Sequence, residues 1–520
     1  MDFSTIVIAI MFVPLIAAVL IALIPSKSAP TVLYEAIHFI SVTVVLVLAT
    51  MLVVEVGTSG QSIDAVGLWF HLDGLGSVFL ALIGVIGFLT GWYSIPYVRH
   101  DVKNGEVGPG QVKSYYAFFS LFVFSMLLVV LSNNIILMWA AIEATTLSTV
   151  FLVGCYNKKT TLEASWKYVI VCTAGVAFGL YATVLVYADA ASLMENAHEA
   201  AFWTAILPYA KDGQLDGMLI QIAFVFAAIG FGTKAGLFPM HTWLPDAHSE
   251  APSPVSALLS GVLLKCAMLV IIRFYILTIQ TVGEFFPQMM MTILGILSVC
   301  VSAFCVFAQD DLKRKLAYSS CENIGLVALC LGFGGPLGIA AALIHCITHG
   351  FTKALLFCIS GNVLMKYGTR DLKKISGILR VAPATALLMA IGFFALAGFP
   401  PFAVFISEVT AYISGIVSGH IALVVICAIC LTVVIAAFVM VVTGSVFGEA
   451  PKDMKKGDVP VFALIPEFAM VIVILWFGVA MPQPVLNGIE SATATVLQTE
   501  TDVLHEAPLF KDIFAATQQG

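Results

Sequence analysis

Long apolar stretches recur along the whole chain, and short polar segments separate them. A helix needs about 20 apolar residues to cross the hydrocarbon core of a bilayer. Because only helices and closed barrels can satisfy their backbone in lipid, these stretches predict an all-α polytopic membrane protein. The fourteen predicted membrane spans centre near residues 14, 43, 83, 123, 144, 177, 228, 264, 298, 325, 351, 400, 433 and 470.

Two weaker stretches suggest helices that do not cross the bilayer. Residues 197–209 predict a helix at the membrane interface, and the tail after Pro482 predicts an amphipathic extension. The first stretch, Phe3 to Ile24, has neither a basic segment before it nor a small-residue cleavage site after it. We therefore expect it to stay in the protein as the first span instead of being removed as a signal peptide.

Lysine and arginine residues test this count, because cytoplasmic loops of membrane proteins are rich in them. If the loops after odd-numbered spans share one side, that side carries eighteen of the 24 basic residues, against Lys211 and Lys511 on the other. This bias predicts that the first side is cytoplasmic and that both termini lie outside. The eighteen residues are Lys27, Arg99, Lys103, Lys113, Lys158, Lys159, Lys167, Lys313, Arg314, Lys315, Lys366, Arg370, Lys373, Lys374, Arg380, Lys452, Lys455 and Lys456.

Composition agrees with a membrane protein and argues against other classes. Hydrophobic residues make up 60% of the chain and charged residues 11%, whereas soluble domains are roughly 45–50% apolar. The net charge of −7, without a basic stripe or a zinc-finger pattern, argues against a nucleic-acid partner. Of the eleven cysteines, only Cys427 and Cys430 form a C-x-x-C pair, which cannot supply the four thiolates of an iron–sulfur cluster.

Four ionisable residues fall near the middle of predicted spans. Glu143 follows Asn134 by nine residues, which places it about 14 Å deep at the helical rise per residue, and Lys265 lies at a similar depth. Lys234 and Glu408 are also central. A charge at mid-bilayer costs at least about 2.5–3.5 kcal/mol. We therefore expect a functional row of charges; the alternative is a set of buried ion pairs that only lock helices together.

The eleventh span carries His345, His349 and Lys353 at intervals of four residues. This spacing places the three side chains on one helix face, about 6 Å apart per step. Imidazole can pass a proton through its two nitrogens near neutral pH. Two histidines one turn apart cannot bind opposite faces of a haem, and no third metal ligand is evident nearby. The pattern therefore favours a proton relay over a haem or metal site.

Two predicted spans look interrupted. The seventh contains GFGTKAGLFPMHTWLPDAH, with Lys234 between glycines and Pro239, and the twelfth contains ALAGFPPFAVFISEVT, with two prolines before Glu408. Irregular backbone at membrane depth is tolerated where it is buried in protein or lines a polar cavity. Paired interrupted helices in matching halves point to a transport site.

The spacing of these features predicts an internal repeat. Lys234 and Glu408 are 174 residues apart, and Glu143 and Glu322 are 179 apart. Five spans per unit would make spans four to eight and nine to thirteen inverted repeats. The predicted units are residues 1–113 (three helices), 114–280 (first repeat), 281–447 (second repeat) and 448–520 (the last span and the amphipathic tail).

Several segments resemble one known family. KAGLFPMHTWLPDAHSEAPSPVSALLSGVLLK, AYSSCENIG, ITHGFTKALLF and GFPPFAVFISE are similar to signatures of the antiporter-like subunits shared by respiratory complex I, Mrp cation/proton antiporters and group 4 hydrogenases. The resemblance covers residues 70–450 and is greatest to the hydrogenase-4 component F type. It implies a proton-translocating subunit of the prokaryotic cell (inner) membrane.

The resemblance also implies roles for individual residues. Glu143 would tune Lys234, the central proton carrier; Lys265 would be the next station, His349 a bridge, and Glu408 the terminal carrier. One position departs from the family: Asn323 stands where a histidine is frequent, so Glu322 beside it or water must continue the path. The further relay candidates are His345, Lys353, Glu322, His241 and His248.

The chain shows no phosphate-binding loop, cluster motif or dinucleotide fingerprint. The resemblance therefore implies that it binds no cofactor and acts as one subunit of an oxidoreductase or translocase complex. Iron–sulfur clusters and a nickel–iron centre or quinone would belong to a peripheral redox module, and sister antiporter-like subunits would flank the chain in the bilayer. The alternatives are an Mrp-type sodium/proton antiporter subunit, a membrane anchor for a redox complex, and a solute transporter.

Overall fold

The computed structural model describes most of the chain, namely residues 3–26, 30–451, 454–500 and 503–504. Three basic residues of the charge-bias prediction, Lys27, Lys452 and Lys511, lie outside the described residues, as does the end of the predicted tail.

The described residues form twenty helices and one small hairpin. The strands are β1 (Ile63–Ala65) and β2 (Phe70–Leu72). The helices are α1 (Phe3–Leu23), α2 (Thr31–Ser59), α3 (Gly74–Lys103), α4 (Pro109–Leu131), α5 (Ile135–Val153), α6 (Lys159–Leu193), α7 (Trp203–Lys211), α8 (Gly217–Ala235), α9 (Trp243–Glu250), α10 (Ser253–Leu258), α11 (Leu264–Val282), α12 (Phe285–Ala308), α13 (Leu312–Phe333), α14 (Gly335–Tyr367), α15 (Ile378–Val381), α16 (Pro383–Leu396), α17 (Ala403–Val417), α18 (Ile421–Val446), α19 (Val461–Val479) and α20 (Gln483–Leu497).

The predicted spans are confirmed as helices. Thirteen helical stretches among the described residues are long and apolar enough to cross a membrane, and the shorter apolar helices α16 and α17 occupy the place of the twelfth predicted span. Position 400, the predicted centre of that span, falls in the break between the two helices. The protein is therefore an all-helical membrane protein, as its apolar pattern indicates.

The structure also forms elements outside the spans. The stretch predicted at the interface overlaps the nine-residue helix α7, and the tail after Pro482 contains α20. The hairpin β1–β2 was not predicted from the sequence. Its turn begins at Val66 and Gly67, which both adopt positive φ, and three-residue strands are too short to produce a recognisable alternation of apolar and polar residues.

The two predicted breaks have the same local structure. Gly236 follows the last residue of α8, and Gly398 lies two residues after the last residue of α16, with φ of 87° and 66°. Each glycine starts a Gly-x-x-Pro segment, and in each segment the last peptide bond, before Pro239 and before Pro401, is cis. Glycine tolerates the left-handed conformation that ends a helix, and proline cannot continue one.

A third irregularity lies in the eighth span. α10 and α11 are joined by one π-helical turn, Leu259–Leu263, directly before Lys265. The start of this span is rich in prolines and serines, and the irregularity lies deeper, after α10. Such single π turns shift the helix register and are frequent at functional sites.

The helices that carry Lys265, Glu322 and Lys353 form the interior of the bundle. In the most apolar window of the stretch Ser253–Val282 and of α14, 100% of residues are buried, and in α13 94%, against 33% for α2 and α18. The outer helices therefore shield the inner ones, whose polar groups must be satisfied within the protein. The division into four predicted units, with two inverted repeats, remains a prediction.

Candidate functional site

Lys234 lies in the last turn of α8, and its side chain is fully buried. Its Nζ donates hydrogen bonds to Thr146 Oγ1 at 2.8 Å and to Tyr168 Oη at 2.6 Å. The amine also lies 4.6 Å from the ring centre of Tyr168 and 5.7 Å from that of Trp243. Two oxygen acceptors and two aromatic faces can thus stabilise a charged amine at this depth.

Glu143 is close to this group without binding the lysine directly. Its Oε1 accepts a hydrogen bond from Thr173 at 2.9 Å, and its Oε2 is buried with no hydrogen-bond partner in the described part of the chain. Glu143 precedes Thr146 by three residues on α5, so the two share a helix face. Any influence of Glu143 on Lys234 must therefore act through space or through Thr146, since no direct ion pair forms between the two.

The hydroxyl groups around Lys234 were missed in the sequence. Besides Lys234, Tyr168 Oη contacts Thr149 Oγ1 at 2.6 Å. Thr146 and Thr149 stand at an i, i+3 spacing in the hydroxyl-rich segment ATTLST, which interrupts an otherwise apolar span. That spacing on the face of Glu143 could have identified them. Tyr168 offered no comparable pattern, because its role depends on how α6 packs.

Lys265 follows the π turn and is fully buried. Its Nζ donates to the carbonyl oxygen of Ser260 at 2.5 Å, and Ser260 Oγ lies 2.8 Å from Ser320 Oγ on α13. The π turn changes the backbone hydrogen-bonding register around Ser260, so that its carbonyl faces the lysine. The eighth span thereby contacts the tenth through a pair of serine hydroxyls.

Lys353 on α14 contacts α13 close to Ser320. Its Nζ donates to the Leu316 carbonyl oxygen at 2.7 Å and to Ser319 Oγ. The same carbonyl accepts from the hydroxyls of Ser319 and Ser320, both at 3.0 Å. Since Ser320 also contacts Ser260, the groups of Lys265 and Lys353 meet at one cluster of serines on α13.

Asn323 connects this cluster to the histidines. Its Nδ2 donates to the Ser319 carbonyl oxygen at 2.7 Å and to the Glu322 carboxylate. Its Oδ1 lies 3.0 Å from His345 Nε2. The position where the family pattern fails is therefore bridged by the asparagine side chain, which cannot titrate but can hold a glutamate and a histidine together.

The neighbours of His345 restrict its protonation. The amide oxygen of Asn323 only accepts, so Nε2 must carry a hydrogen for this contact to be a hydrogen bond. The other nitrogen, Nδ1, lies 2.9 Å from Ser407 Oγ, which Thr348 Oγ1 approaches within 3.2 Å. His345 can therefore receive a proton at one nitrogen and release one at the other.

His349 stacks on His345 with ring centres 5.7 Å apart and planes 9° apart. It is fully buried, and neither ring nitrogen has a hydrogen-bond partner among the described residues. Buried polar groups of this kind are normally satisfied by ordered water. The two ring nitrogens of His349 are therefore free to hydrogen-bond with water in a hydrated part of the path.

Glu408 follows Ser407 on α17 and is 5% exposed. Its carboxylate turns back towards the break and lies against Gly398, where a Cβ atom would overlap Oε2. The side chains of a helix point towards its N-terminus, which explains this direction. The glutamate thus stands at the end of the row formed by Asn323, His345 and Ser407.

The two other candidate histidines occupy different places. His248 is fully buried and stacks on Phe357 at 4.9 Å, with both ring nitrogens unpartnered in the described structure. His241 lies beside the break and packs against Phe238 and Tyr318. His248 therefore belongs to the interior, whereas His241 lies at the edge of the site.

The predicted row consequently forms two groups. One contains Glu143 and Lys234. The other runs from Lys265 through the serines to Glu408, and no hydrogen bond between described side chains joins the two. Within the described ranges, no three His, Cys, Asp or Glu side chains are arranged to hold a metal ion.

Sequence comparisons place these residues in a known context. The family model described as NADH:quinone oxidoreductase/Mrp antiporter, transmembrane, matches residues 132–435. A hydrogenase-4 component F homolog from Methylacidiphilum infernorum is 36% identical over 425 residues, 82% of this chain and 88% of that protein. Hydrogenase-4 component B of Escherichia coli is 30% identical over 66% of this chain and 50% of that protein.

Solved structures share the fold. A chain of the membrane-bound sulfane sulfur reductase, an archaeal respiratory membrane complex, matches with a TM-score of 0.84 at 22% identity, over 94% of this chain and 97% of that chain. A chain of the Mrp complex from Dietzia matches with a TM-score of 0.82 at 19% identity, over 95% and 97%. A chain of respiratory complex I from Thermus thermophilus matches with a TM-score of 0.79 at 21% identity, over 95% and 100%.

Proposed function

The chain belongs to the NADH:quinone oxidoreductase/Mrp antiporter family of membrane subunits, and on this premise we propose that it relays protons through its buried lysines, histidines and glutamates. It is an antiporter-like subunit of the kind found in Mrp, complex I and hydrogenase-type complexes. The observation that carries the proposal is the contact series from Lys265 through Ser320, Lys353, Asn323 and His345 to Ser407, beside Glu408.

The first step of the relay concerns Lys234. Its amine is held by the two hydroxyls of Thr146 and Tyr168. Burial penalises a charged amine, so its proton is retained only while these acceptors and the nearby Glu143 stabilise it. A movement of α5 or α6 that loosens the contacts would release the proton towards Lys265.

Water completes the path where side chains do not meet. His349 and His248 are buried, and their ring nitrogens have no partners within the described structure. Each nitrogen can bind one water molecule, and such molecules would join Lys234 to the second group. From Lys353 and His345 the proton would pass through Ser407 to Glu408 and leave at the side that the charge bias assigns to the outside.

The energy for this transport would come from a partner. Relatives of the chain include hydrogenase components and a chain of respiratory complex I. We therefore propose that sister antiporter-like subunits and a peripheral redox module assemble with this chain, and that the module drives the loosening of the Lys234 contacts. The clusters, nickel–iron centre or quinone of such a complex would lie in those partners.

Protons are a better substrate than sodium for this arrangement. A sodium site needs several oxygen ligands around one point, whereas the row is built from amines, imidazoles and separated carboxyl groups. The similarity to a Na⁺/H⁺ antiporter subunit A1 of Staphylococcus aureus, 29% identical over 71% of this chain, nevertheless makes sodium dependence a necessary part of the test.

The test uses membrane vesicles that contain the assembled complex. Lys234→Ala should abolish redox-driven proton uptake while a pH-sensitive dye reports normal uptake for Lys373→Ala, a lysine whose side chain is 72% exposed. Native gels check that both variants assemble. Unchanged pumping in Lys234→Ala would overturn the relay. Proton uptake that depends on the sodium gradient in the wild type would show instead that the chain acts as a sodium/proton antiporter subunit.

A further inference from the structure

A buried glutamate lies outside the row of charges that runs from Glu143 to Glu408. Glu467 on α19 is 0% exposed. Asn362 Nδ2 on α14 lies 2.8 Å from each of its carboxylate oxygens. Glu467 comes six residues after the start of α19, about 9 Å into the bundle at the helical rise. Neither Glu467 nor Asn362 was a sequence candidate.

The surroundings of Glu467 offer it no counter-charge. Within the described residues, no lysine, arginine or histidine forms an ion pair with it. The titratable groups that influence it are Tyr93 of α3, Cys358 of α14 and Asp458 of the preceding loop. α16 carries no titratable residue, and Glu408 and Tyr412 of α17 make no hydrogen bond to it. A buried carboxyl group without a cation is expected to exchange a proton instead of staying charged.

Asn362 and Tyr93 allow both protonation states of this carboxyl group. Tyr93 Oη lies 2.7 Å from the Cys358 carbonyl oxygen and 2.8 Å from Asn362 Oδ1. The hydroxyl has a single hydrogen for these two acceptors. When Glu467 is ionised, the amide donates to it and Tyr93 donates to the amide oxygen.

When Glu467 is protonated, the amide can turn over. The new O–H then donates to the amide oxygen, the amide nitrogen donates to Tyr93 Oη, and the hydrogen of Tyr93 goes to Cys358. In both arrangements the amide of Asn362 is hydrogen-bonded to Glu467 on one side and to Tyr93 on the other, and the two differ by one proton and one side-chain rotation. Such two-state hydrogen bonding is what a proton-loading site requires.

Three tyrosines lie between this cluster and a polar cavity. The rings of Tyr93 and Tyr97 are 6.1 Å apart, Tyr97 Oη lies 3.1 Å from Tyr156 Oη, and Tyr156 donates to Asp101 at 2.7 Å. Gly361 leaves the space in which the first two rings meet, because a Cβ there would lie 2.5 Å from Tyr93 Oη.

The cavity has a volume of about 320 Å³ and opens at the end of the bundle that the charge bias assigns to the cytoplasm. Charged side chains line it, and water can therefore fill it. Its charged lining residues are Asp101, Glu106, Lys158, Glu250, Lys313 and Arg370.

We propose that Glu467, Asn362 and Tyr93 form a second proton-binding site, which is loaded from the cavity through Tyr156 and Tyr97. A proton enters from cavity water and passes along the Tyr156 and Tyr97 hydroxyls, each of which accepts one hydrogen and passes on another. One water molecule carries it from Tyr97 to Glu467, where an O–H bond forms on the carboxylate as the O–H bond of the donor breaks. No other bond is made or broken. The site extends the proposed function, on which it rests for its use in transport.

Infrared difference spectroscopy of the complex in lipid tests the binding site. Acidification should produce a protonated-carboxyl band that is lost in Glu467→Gln, shifted in Asn362→Leu and Tyr93→Phe, and retained in Glu55→Gln, the control on the outer helix α2. The band should persist in Lys234→Ala, so a failure of the relay and a failure of this site give different results. Identical spectra of the wild type and Glu467→Gln would overturn the proposal.

Initial pumping rates over a range of pH test its use. Glu467→Gln should lower the rate about fivefold on the alkaline side, where protons are scarce, which corresponds to about 1 kcal/mol of barrier. It should have little effect on the acidic side. Gln preserves the shape of the side chain, so assembly should be normal. Equal rates for the variant and the wild type at every pH would show that the site takes no part in transport.

Discussion

The two broken helices use the same backbone device for charges of opposite sign. Both breaks contain a left-handed glycine followed three residues later by a proline after a cis peptide bond. Lys234 stands two residues before its glycine, whereas Glu408 follows its glycine by ten residues. Gly236 and Gly398 are 162 residues apart, and the two charges 174. The two charges therefore stand at different distances from their breaks and on opposite sides of them.

The difference follows the polarity of the half-helices. The C-terminal end of a helix carries partial negative charge and the N-terminal end partial positive charge. Lys234 lies at the C-terminal end of α8, where a cation is favoured. Glu408 lies in α17 with its carboxyl group turned back towards the N-terminal end, where an anion is favoured. Discontinuous helices bind ions at their ends in the same way in other transport sites.

The two ends also differ in how they satisfy their charges. Lys234 has hydroxyl acceptors and aromatic rings around it. Glu408 receives no hydrogen bond from any described side chain and depends on the space beside Gly398. One end therefore holds its charged group through side-chain contacts, whereas the other only leaves room for its carboxyl group. This contrast can be tested with variants at each of the two breaks.

Reversal of the charge at the first break should have the largest effect. Lys234→Glu places an unpaired anion at the negative end of α8 and against two ring faces, which should cost about 3 kcal/mol or more and should lower the amount of assembled complex. Lys234→Met keeps the length without a charge, so it should assemble normally and still lose pumping. Membrane yields and dye-monitored pumping measure both effects. Normal assembly of Lys234→Glu would contradict the dipole argument.

The glycines of the two breaks should differ in function although they share a backbone cost. Alanine in the left-handed region costs about 1–2 kcal/mol, so Gly236→Ala and Gly398→Ala should lower the unfolding temperature similarly. Only the new Cβ of Gly398→Ala displaces the Glu408 carboxylate, whereas that of Gly236→Ala meets the end of the Leu244 side chain at 2.7 Å.

Gly398→Ala should therefore pump about tenfold more slowly, and Gly236→Ala nearly normally, with the tenfold loss corresponding to about 1.4 kcal/mol. Thermal unfolding and initial pumping rates measured on the same preparations separate the two effects. If Gly236→Ala slowed pumping as much as Gly398→Ala, the displaced carboxylate could not be the cause.

The hydroxyl groups at Lys234 should have a smaller influence. Tyr168→Phe removes one acceptor at 2.6 Å and keeps the aromatic face. A hydrogen bond to a charged group contributes about 1.5–3 kcal/mol, of which only the part that changes during transport affects the rate. We expect a severalfold loss, and a similar one for Thr146→Val. Tyr181→Phe, with a tyrosine that is 51% exposed, is the control and should pump normally.

An ion pair away from both breaks gives a reference for these effects. Asp73 Oδ2 lies 2.5 Å from Arg273 Nη1. Burial by itself would raise the pKa of Asp73, but the guanidinium of Arg273 lowers it from 3.8 to about 2. The charged carboxylate therefore stabilises the fold above pH 4, and this contribution is lost as the pH falls from about 4 to 2.

The unfolding temperature of Asp73→Asn should consequently lie below that of the wild type by a constant amount between pH 8 and 5. The two values should converge as the pH approaches 2, with a total effect of about 2 kcal/mol. Pumping should change least of all in this variant. A difference that persists at pH 2 would mean that the ion pair is not its source.

The buried charges and the helix breaks could be predicted from the sequence, because both are unusual in a segment that crosses a bilayer. Charged residues are rare in apolar stretches, so Lys234, Lys265, Lys353 and Glu408 stand out by their cost alone. Gly-x-x-Pro segments stand out equally, since both residues oppose a continuous helix. The family signatures then gave the relay hypothesis, and the family itself is confirmed.

The contacts of these residues could not be predicted in the same way. Lys234 meets Thr146 across 88 residues of sequence, and Tyr93 meets Asn362 across 269. Glu467 was overlooked although it lies only three residues before the predicted centre of the last span, because no second charged residue accompanies it in that span. Its burial depends on α3 and α14, which no local pattern brings together.

The apolar lengths, the breaks and the positions of the charges were thus determined by the sequence alone, because transfer into lipid acts on each residue separately. The bridge at Asn323, the π turn before Lys265, the hydroxyls at Lys234 and the site around Glu467 were decided by the tertiary structure. These depend on distances of about 3 Å between helices, and such distances are set only when the whole bundle packs.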